Sequence, residues 1–88
     1  MPLNDMLNVK SFESLPVTEQ MQYIHSEGHY LHYRIKGWCK INIYWLGSFY
    51  AEVWFLYNLK DVGLIRTYTK ATCLDPYLAD LHVPQLFE

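Results

Sequence analysis

Two kinds of hydrophobic spacing divide the chain, a helical period in its first third and an alternating period after that. Val17, Met21 and Ile24 recur at intervals of four and three residues, which places them on one side of a helix. Gly28 follows this pattern, and glycine in a left-handed conformation is a common residue just after the last helical turn. The spacing therefore predicts one main helix, within a helical N-terminal segment over residues 1–28.

Apolar and polar residues alternate in the middle of the chain, which is typical of strands with one buried face. The alternating runs cover residues 30–35, 38–45, 49–57 and 64–69. Short turns that contain glycine separate the first three runs, and consecutive strands joined by such turns pair antiparallel. The pattern therefore predicts a four-stranded antiparallel β-meander over residues 29–70.

A second helix is predicted near the end of the chain. Asp75 and Pro76 suit the N-cap and the first position of a helix. Apolar residues follow at helical spacing, which predicts a short C-terminal helix over residues 74–83. The expected fold class is α+β, a four-stranded antiparallel β-meander with both helices packed on one face, in a single domain of residues 1–88.

The pairing register decides which residues share a face of this sheet, since a slip of one residue turns a strand over. A two-residue turn between the second and third strands pairs Ile43 with Glu52 and puts a carboxylate on the aliphatic face. A three-residue loop pairs Ile43 with Ala51 and makes that face wholly apolar, so this register is the prediction. The same reasoning at the first turn pairs Tyr33 with Ile41.

In the predicted register, aromatic and charged residues gather on the second face of the sheet. The chain is 17% aromatic, and rings mixed with both charge signs are typical of a recognition surface. Good strand propensity, or a second helical layer over this face, would account for the same residues without a partner. The predicted interface residues are Tyr44, Tyr50, Glu52, Trp54, Arg66 and Arg34.

Composition narrows the class of protein and its location. A net charge of −2 excludes a generally basic nucleic-acid binder. Charged residues interrupt every apolar run before it reaches membrane-spanning length, and the N-terminus lacks the pattern of a secretory signal. Cys39 and Cys73 are too few for a disulfide scaffold and are expected to be free thiols. We therefore expect a cytoplasmic protein without membrane contact.

No motif for catalysis, for a cofactor or for a metal stands out. His25, His29 and His32 lie close in sequence, but strand alternation directs His29 and His32 to opposite faces. Cys73 with a nearby histidine is the remaining candidate for a nucleophile, and only the presence of these residue types supports it. We therefore expect a protein that is not an enzyme, with no cofactor and no metal site.

The leading hypothesis for function is a non-enzymatic protein-interaction module that uses the aromatic face, to bind another protein or to form a homodimer. The alternative is a small-ligand-binding domain with a pocket between the sheet and the C-terminal helix, around Tyr33, Trp45 and Tyr77. A small Cys/His enzyme and a single-stranded nucleic-acid binder rank lower. Aromatic sheets do stack bases, but the common RNA-recognition fold needs a helix between strands that the short turns exclude.

Three segments resemble a group of small uncharacterised bacterial single-domain proteins. These segments are Phe49–Phe55, Ile65–Tyr68 and Leu74–Leu78. The resemblance covers most of the chain from Leu15 onward. It implies a bacterial, cytoplasmic protein and carries over no activity, cofactor, partner or site residue.

Overall fold

The structure, a computed structural model, describes residues 6–56 and 61–80 of the chain. Its elements are α1 (Val9–Glu13), α2 (Val17–Glu27), β1 (His29–Lys36), β2 (Cys39–Trp45), β3 (Tyr50–Leu56), β4 (Val62–Tyr68), a 3₁₀ turn (Ala71–Leu74) and α3 (Asp75–Asp80). The strands form one sheet in the order β1-β2-β3-β4, and each neighbouring pair is antiparallel. The predicted α+β meander with an N-terminal and a short C-terminal helix is therefore confirmed.

Both predicted helices are present, with differences at their ends. Gly28 follows α2 with an extended backbone, φ −83°, rather than the left-handed conformation expected of it. A Cβ at Gly28 would lie 2.5 Å from the carbonyl oxygen of Ile24, so close packing rather than a positive φ requires glycine there. The predicted C-terminal helix appears as α3, and residues 81–83 of that prediction lie outside the described residues. Within the described part of the chain, none of the helices combines the length and apolar character that crossing a bilayer requires.

The register of the sheet differs from the prediction by one residue at both tight turns. Ile43 pairs with Glu52 rather than Ala51, because a two-residue turn joins β2 to β3. The first turn is equally short, and Tyr33 consequently pairs with Asn42. The turn glycines, Gly37 and Gly47, adopt φ values of 58° and 95°, which favour two-residue hairpin turns. Turn geometry therefore sets the register, and the apolar match between the strands does not.

Two separate clusters of buried residues lie on opposite faces of the sheet. The first cluster contains Phe12, Ile24, Leu46, Phe49, Ala51 and Val53, and the second contains Ile41, Ile43 and Tyr77. Ala51 and Val53 point away from the face that Glu52 shares with Ile41 and Ile43, since side chains alternate along a strand. The N-terminal helices thus cover one face and α3 covers the other, which corrects the expectation that both helices share one face.

Coverage of the sheet is uneven from strand to strand. In β3, Ala51, Glu52 and Val53 are buried one after another, because helices pack on both sides of the strand. In β1, none of the eight residues is buried. At the far side of the sheet, Thr67 of β4 donates a hydrogen bond to Glu13 at the end of α1. The outer strand β1 is therefore the least covered part of the described sheet.

Candidate functional site

A buried carboxylate occupies the centre of the face that α3 covers. Glu52 is only 2% exposed, and its two oxygens accept hydrogen bonds from three neutral donors. The Tyr77 hydroxyl donates to Oε2 at 2.7 Å. Trp54 Nε1 and the Tyr68 hydroxyl donate to Oε1 at 3.1 and 3.2 Å. Because Tyr77 belongs to α3, this hydrogen bond ties the C-terminal helix to the middle of the sheet.

Arg34 supplies the positive charge that this carboxylate needs. Its Nη2 lies 3.4 Å from Glu52 Oε2, and its side chain is 17% exposed. The guanidinium carbon lies 5.7 Å from the centre of the Trp54 ring and 5.2 Å from that of Tyr77, within the range of a cation–π contact. The ion pair joins β1 directly to β3. Removing either partner would leave an uncompensated charge in a poorly hydrated site.

Burial and the Glu52 charge set the protonation of the cluster. Burial raises the pKa of the Tyr77 phenol well above its ordinary value, and the hydrogen bond to Glu52 raises it further. The pKa of Tyr68 is raised by the same two causes. For Arg34, desolvation alone lowers the pKa, but Tyr77 and Glu52 more than offset it and the pKa lies above its usual value. Both phenols remain hydrogen-bond donors, and the arginine remains charged.

Cys73 lies close to this cluster and is one of two free cysteines. Burial raises the pKa of its thiol, and the negative charge of Glu52 raises that pKa further. A catalytic cysteine needs the opposite, a lowered pKa that favours the thiolate. This environment disfavours a nucleophilic role for Cys73. Among the residues that the structure describes, no three His, Cys, Asp or Glu side chains converge as a metal site requires.

The predicted interface residues divide between the two faces of the sheet. Five of them share the face on which α3 packs: Arg34, Tyr50, Glu52, Trp54 and Arg66. Tyr44 lies on the opposite face, where its ring meets Tyr30 edge-on at 5.7 Å. The structure therefore does not gather the six on one open surface, since Glu52 is buried as well. Their contact with a partner stays a prediction.

The residues of the predicted ligand pocket are also separated. Tyr77 is buried against Ile41 and Ile43 on one face of the sheet. Tyr33 lies on the other face, where the Lys40 ammonium sits 4.7 Å from the centre of its ring. Trp45 packs on Tyr50, with ring centres 4.8 Å apart. These residues do not enclose a common space.

A different feature, the outer strand β1, carries the most exposed apolar surface. Ten large apolar or aromatic side chains are exposed among the described residues, and half of them lie on β1 or in the turn after it. We call this group the β1 edge: Tyr30, Leu31, Tyr33, Ile35 and Trp38. Ile35 is 54% exposed and Trp38 is 75% exposed. A contiguous group of this kind on a small protein commonly marks an interaction site.

The β1 edge also lies in the most basic segment of the chain. No Asp or Glu occurs between Glu27 and Glu52, whereas Arg34, Lys36 and Lys40 all fall there. The other four Lys and Arg residues are outnumbered by all nine Asp and Glu residues, which lie outside this segment. This acid-free run is the signal in the sequence that could have pointed to the β1 edge.

Comparisons with family models, with curated proteins and with solved structures give no match to this chain. The chain's own residues are therefore the basis for inferring its function. Two features are available for that purpose, the buried Glu52 cluster and the exposed β1 edge. The first is closed by α3 and holds the second in place through Arg34.

Proposed function

We propose that this protein is a non-enzymatic protein-interaction module that binds another protein along the β1 edge. The observation that carries the proposal is the concentration of exposed apolar side chains on one outer strand of an otherwise helix-covered sheet. Aromatic and aliphatic side chains that stand on a rigid element are the usual anchors of a protein interface. A cytoplasmic location is part of the proposal, because both described cysteines are free.

Rigidity of β1 supports this role. The strand pairs with β2 along its length, and Arg34 ties it across the sheet to Glu52 of β3. Tyr77 holds the same carboxylate from α3, so strand and helix are fixed to one another through a single buried group. A surface fixed in this way loses little conformational entropy when a partner binds. The buried cluster thus acts as the support of the binding surface, and the exposed side chains make the contacts.

Site-specific photocrosslinking in living cells tests the proposal. A photoreactive residue replaces Ile35 on β1 in one variant and Leu64 on β4 in the control, since both positions are exposed on outer strands. We expect a discrete adduct at position 35 that is weak or absent at position 64. The captured protein, once purified, should bind the wild-type chain and lose affinity at least about tenfold for Ile35→Arg. Equal adducts at both positions, or unchanged affinity for Ile35→Arg, would overturn the proposal.

A further inference from the structure

We infer that β1 accepts an extended peptide segment as a fifth strand, and that this segment alternates apolar with acidic residues. The inference rests on the proposed function and specifies the chemistry of its partner. It follows from three properties of β1: its free backbone edge, the different residues on its two faces, and its charge.

The backbone of β1 is available on its outer side. β1 is the first strand in the order of the sheet, and within residues 6–56 and 61–80 its only strand neighbour is β2. An outer strand presents unpaired N–H and C=O groups that can pair with an added strand. Pairing with β2 shifts between Tyr30 and His32 and is regular from His32 to Lys36. An added strand would therefore pair with this stretch, which has the length of an ordinary short strand.

The two faces of β1 require different side chains from the added strand. Tyr33 and Ile35 point to one face, and the Lys40 aliphatic stem beside them adds apolar surface. His32, Arg34 and Lys36 point to the other face. Neighbouring strands place their residues side by side on each face, so every second residue of a partner strand meets an apolar group. The remaining residues meet the basic groups, for which carboxylates are the complement.

The charge offered to a partner comes mainly from Lys36. Arg34 already faces Glu52 at 3.4 Å, whereas Lys36 is exposed and forms no ion pair within the described residues. Lys40 adds a second cation from the neighbouring strand. No carboxylate between Glu27 and Glu52 offsets these charges. An acidic segment is therefore favoured over a basic one, and the preference weakens with added salt.

A second copy of this chain fits the same edge poorly. If β1 paired antiparallel with another β1, one set of registers would place Arg34 opposite Arg34 and Lys36 opposite His32. The other set would place Tyr33 beside a basic residue on the same face. Like charges opposite one another destabilise a strand pair, and mixed faces lose the apolar contact. Charge complementarity thus selects an acidic partner segment instead of self-pairing.

Selection from a displayed library of short random peptides tests the inference with the whole chain as bait. We expect enriched peptides to alternate Asp or Glu with Val, Ile, Phe or Tyr. A synthetic peptide of the enriched sequence should bind with its affinity lowered at least about tenfold by Lys36→Glu and little changed by Lys10→Glu, a charge reversal on the exposed side of α1. A peptide of equal composition with its acidic residues in one block should bind more weakly, because the alternation is lost.

Several results would overturn the inference and leave the proposed function intact. These are enriched peptides without acidic residues, equal binding to Lys36→Glu, or equal binding of the blocked peptide. Tighter binding of an oligothymidine than of any enriched peptide would indicate a nucleic-acid surface instead. A dimer in sedimentation that Ile35→Arg dissociates would indicate a second copy. Peptide binding that appears only after residues 81–88 are removed would make that segment the occupant. If the Ile35 photocrosslink also fails, the proposed function falls as well.

Discussion

Strands β3 and β1 belong to the same sheet but have opposite environments. Three consecutive residues of β3 are buried, because α1 and α2 pack on one side and α3 on the other. β1 has no buried residue and exposes Tyr33 and Ile35. The polar groups differ too, since the β3 carboxylate is enclosed by donors while Lys36 of β1 faces solvent. In this protein the centre of the sheet provides stability, and the outer strand provides the surface available for binding.

The strongest test of this comparison is a change at Glu52. Glu52→Gln removes the buried negative charge and leaves the Arg34 guanidinium without its counter-ion in a poorly hydrated site. We expect a loss of about 3–5 kcal/mol in the free energy of unfolding, measured by urea denaturation. Glu27→Gln, at the exposed end of α2, is the matched control and should change that free energy by less than about 0.5 kcal/mol. A small loss at Glu52 would mean that the buried cluster does not stabilise the fold.

Alkaline pH gives a second, intermediate effect. The folded-state pKa of Tyr77 is raised above its ordinary value of 10.0, so the unfolded chain loses this proton first as the pH rises. The associated stability is fully present below pH 10 and declines from there toward the higher folded-state pKa. We expect the free energy of unfolding to fall over this range, and to fall less steeply in Tyr77→Phe. Equal slopes for the two proteins would show that Tyr77 is not held as a neutral donor to Glu52.

The smallest effect on stability is expected at the β1 edge. Ile35→Ser removes an aliphatic side chain that is 54% exposed, and its free energy of unfolding should change by no more than about 0.5 kcal/mol. Val53→Ala, in the first buried cluster, removes fewer atoms and should nevertheless cost about 1–3 kcal/mol. Thermal or urea unfolding of the two variants measures this difference. If Ile35→Ser is the more damaging change, β1 is part of a core and the proposed surface is wrong.

Much of the fold could be predicted from the spacing of residues. Helix α2 and the alternating strands follow from local periodicity, and the start of α3 follows from Asp75 and Pro76. These signals need only residues that are near in sequence, which is why they are reliable. The register could not be predicted in the same way. The preference for a wholly apolar face favoured pairing Ile43 with Ala51, but the glycine turns impose pairing with Glu52.

The burial of Glu52 shows why the face assignment failed. A carboxylate on an inner face is costly when unpaired, so the register that avoided it was favoured. In the structure, Arg34 and Tyr77 reach that carboxylate from positions 18 and 25 residues away in sequence. No local pattern brings such distant residues together, and the path of α3 across the sheet is equally non-local. The β1 edge did have a sequence signal, the acid-free run from His29 to Ala51.

Amide hydrogen exchange tests the central claim most directly. The chain is measured alone and with the protein captured at position 35, and each strand is compared between the two states. A fifth strand would use the outward-facing amides of the regular stretch from His32 to Lys36, which should therefore exchange more slowly in the complex. The amides of β4 should be unchanged. Protection confined to β4 or α3, with none in β1, would contradict the account.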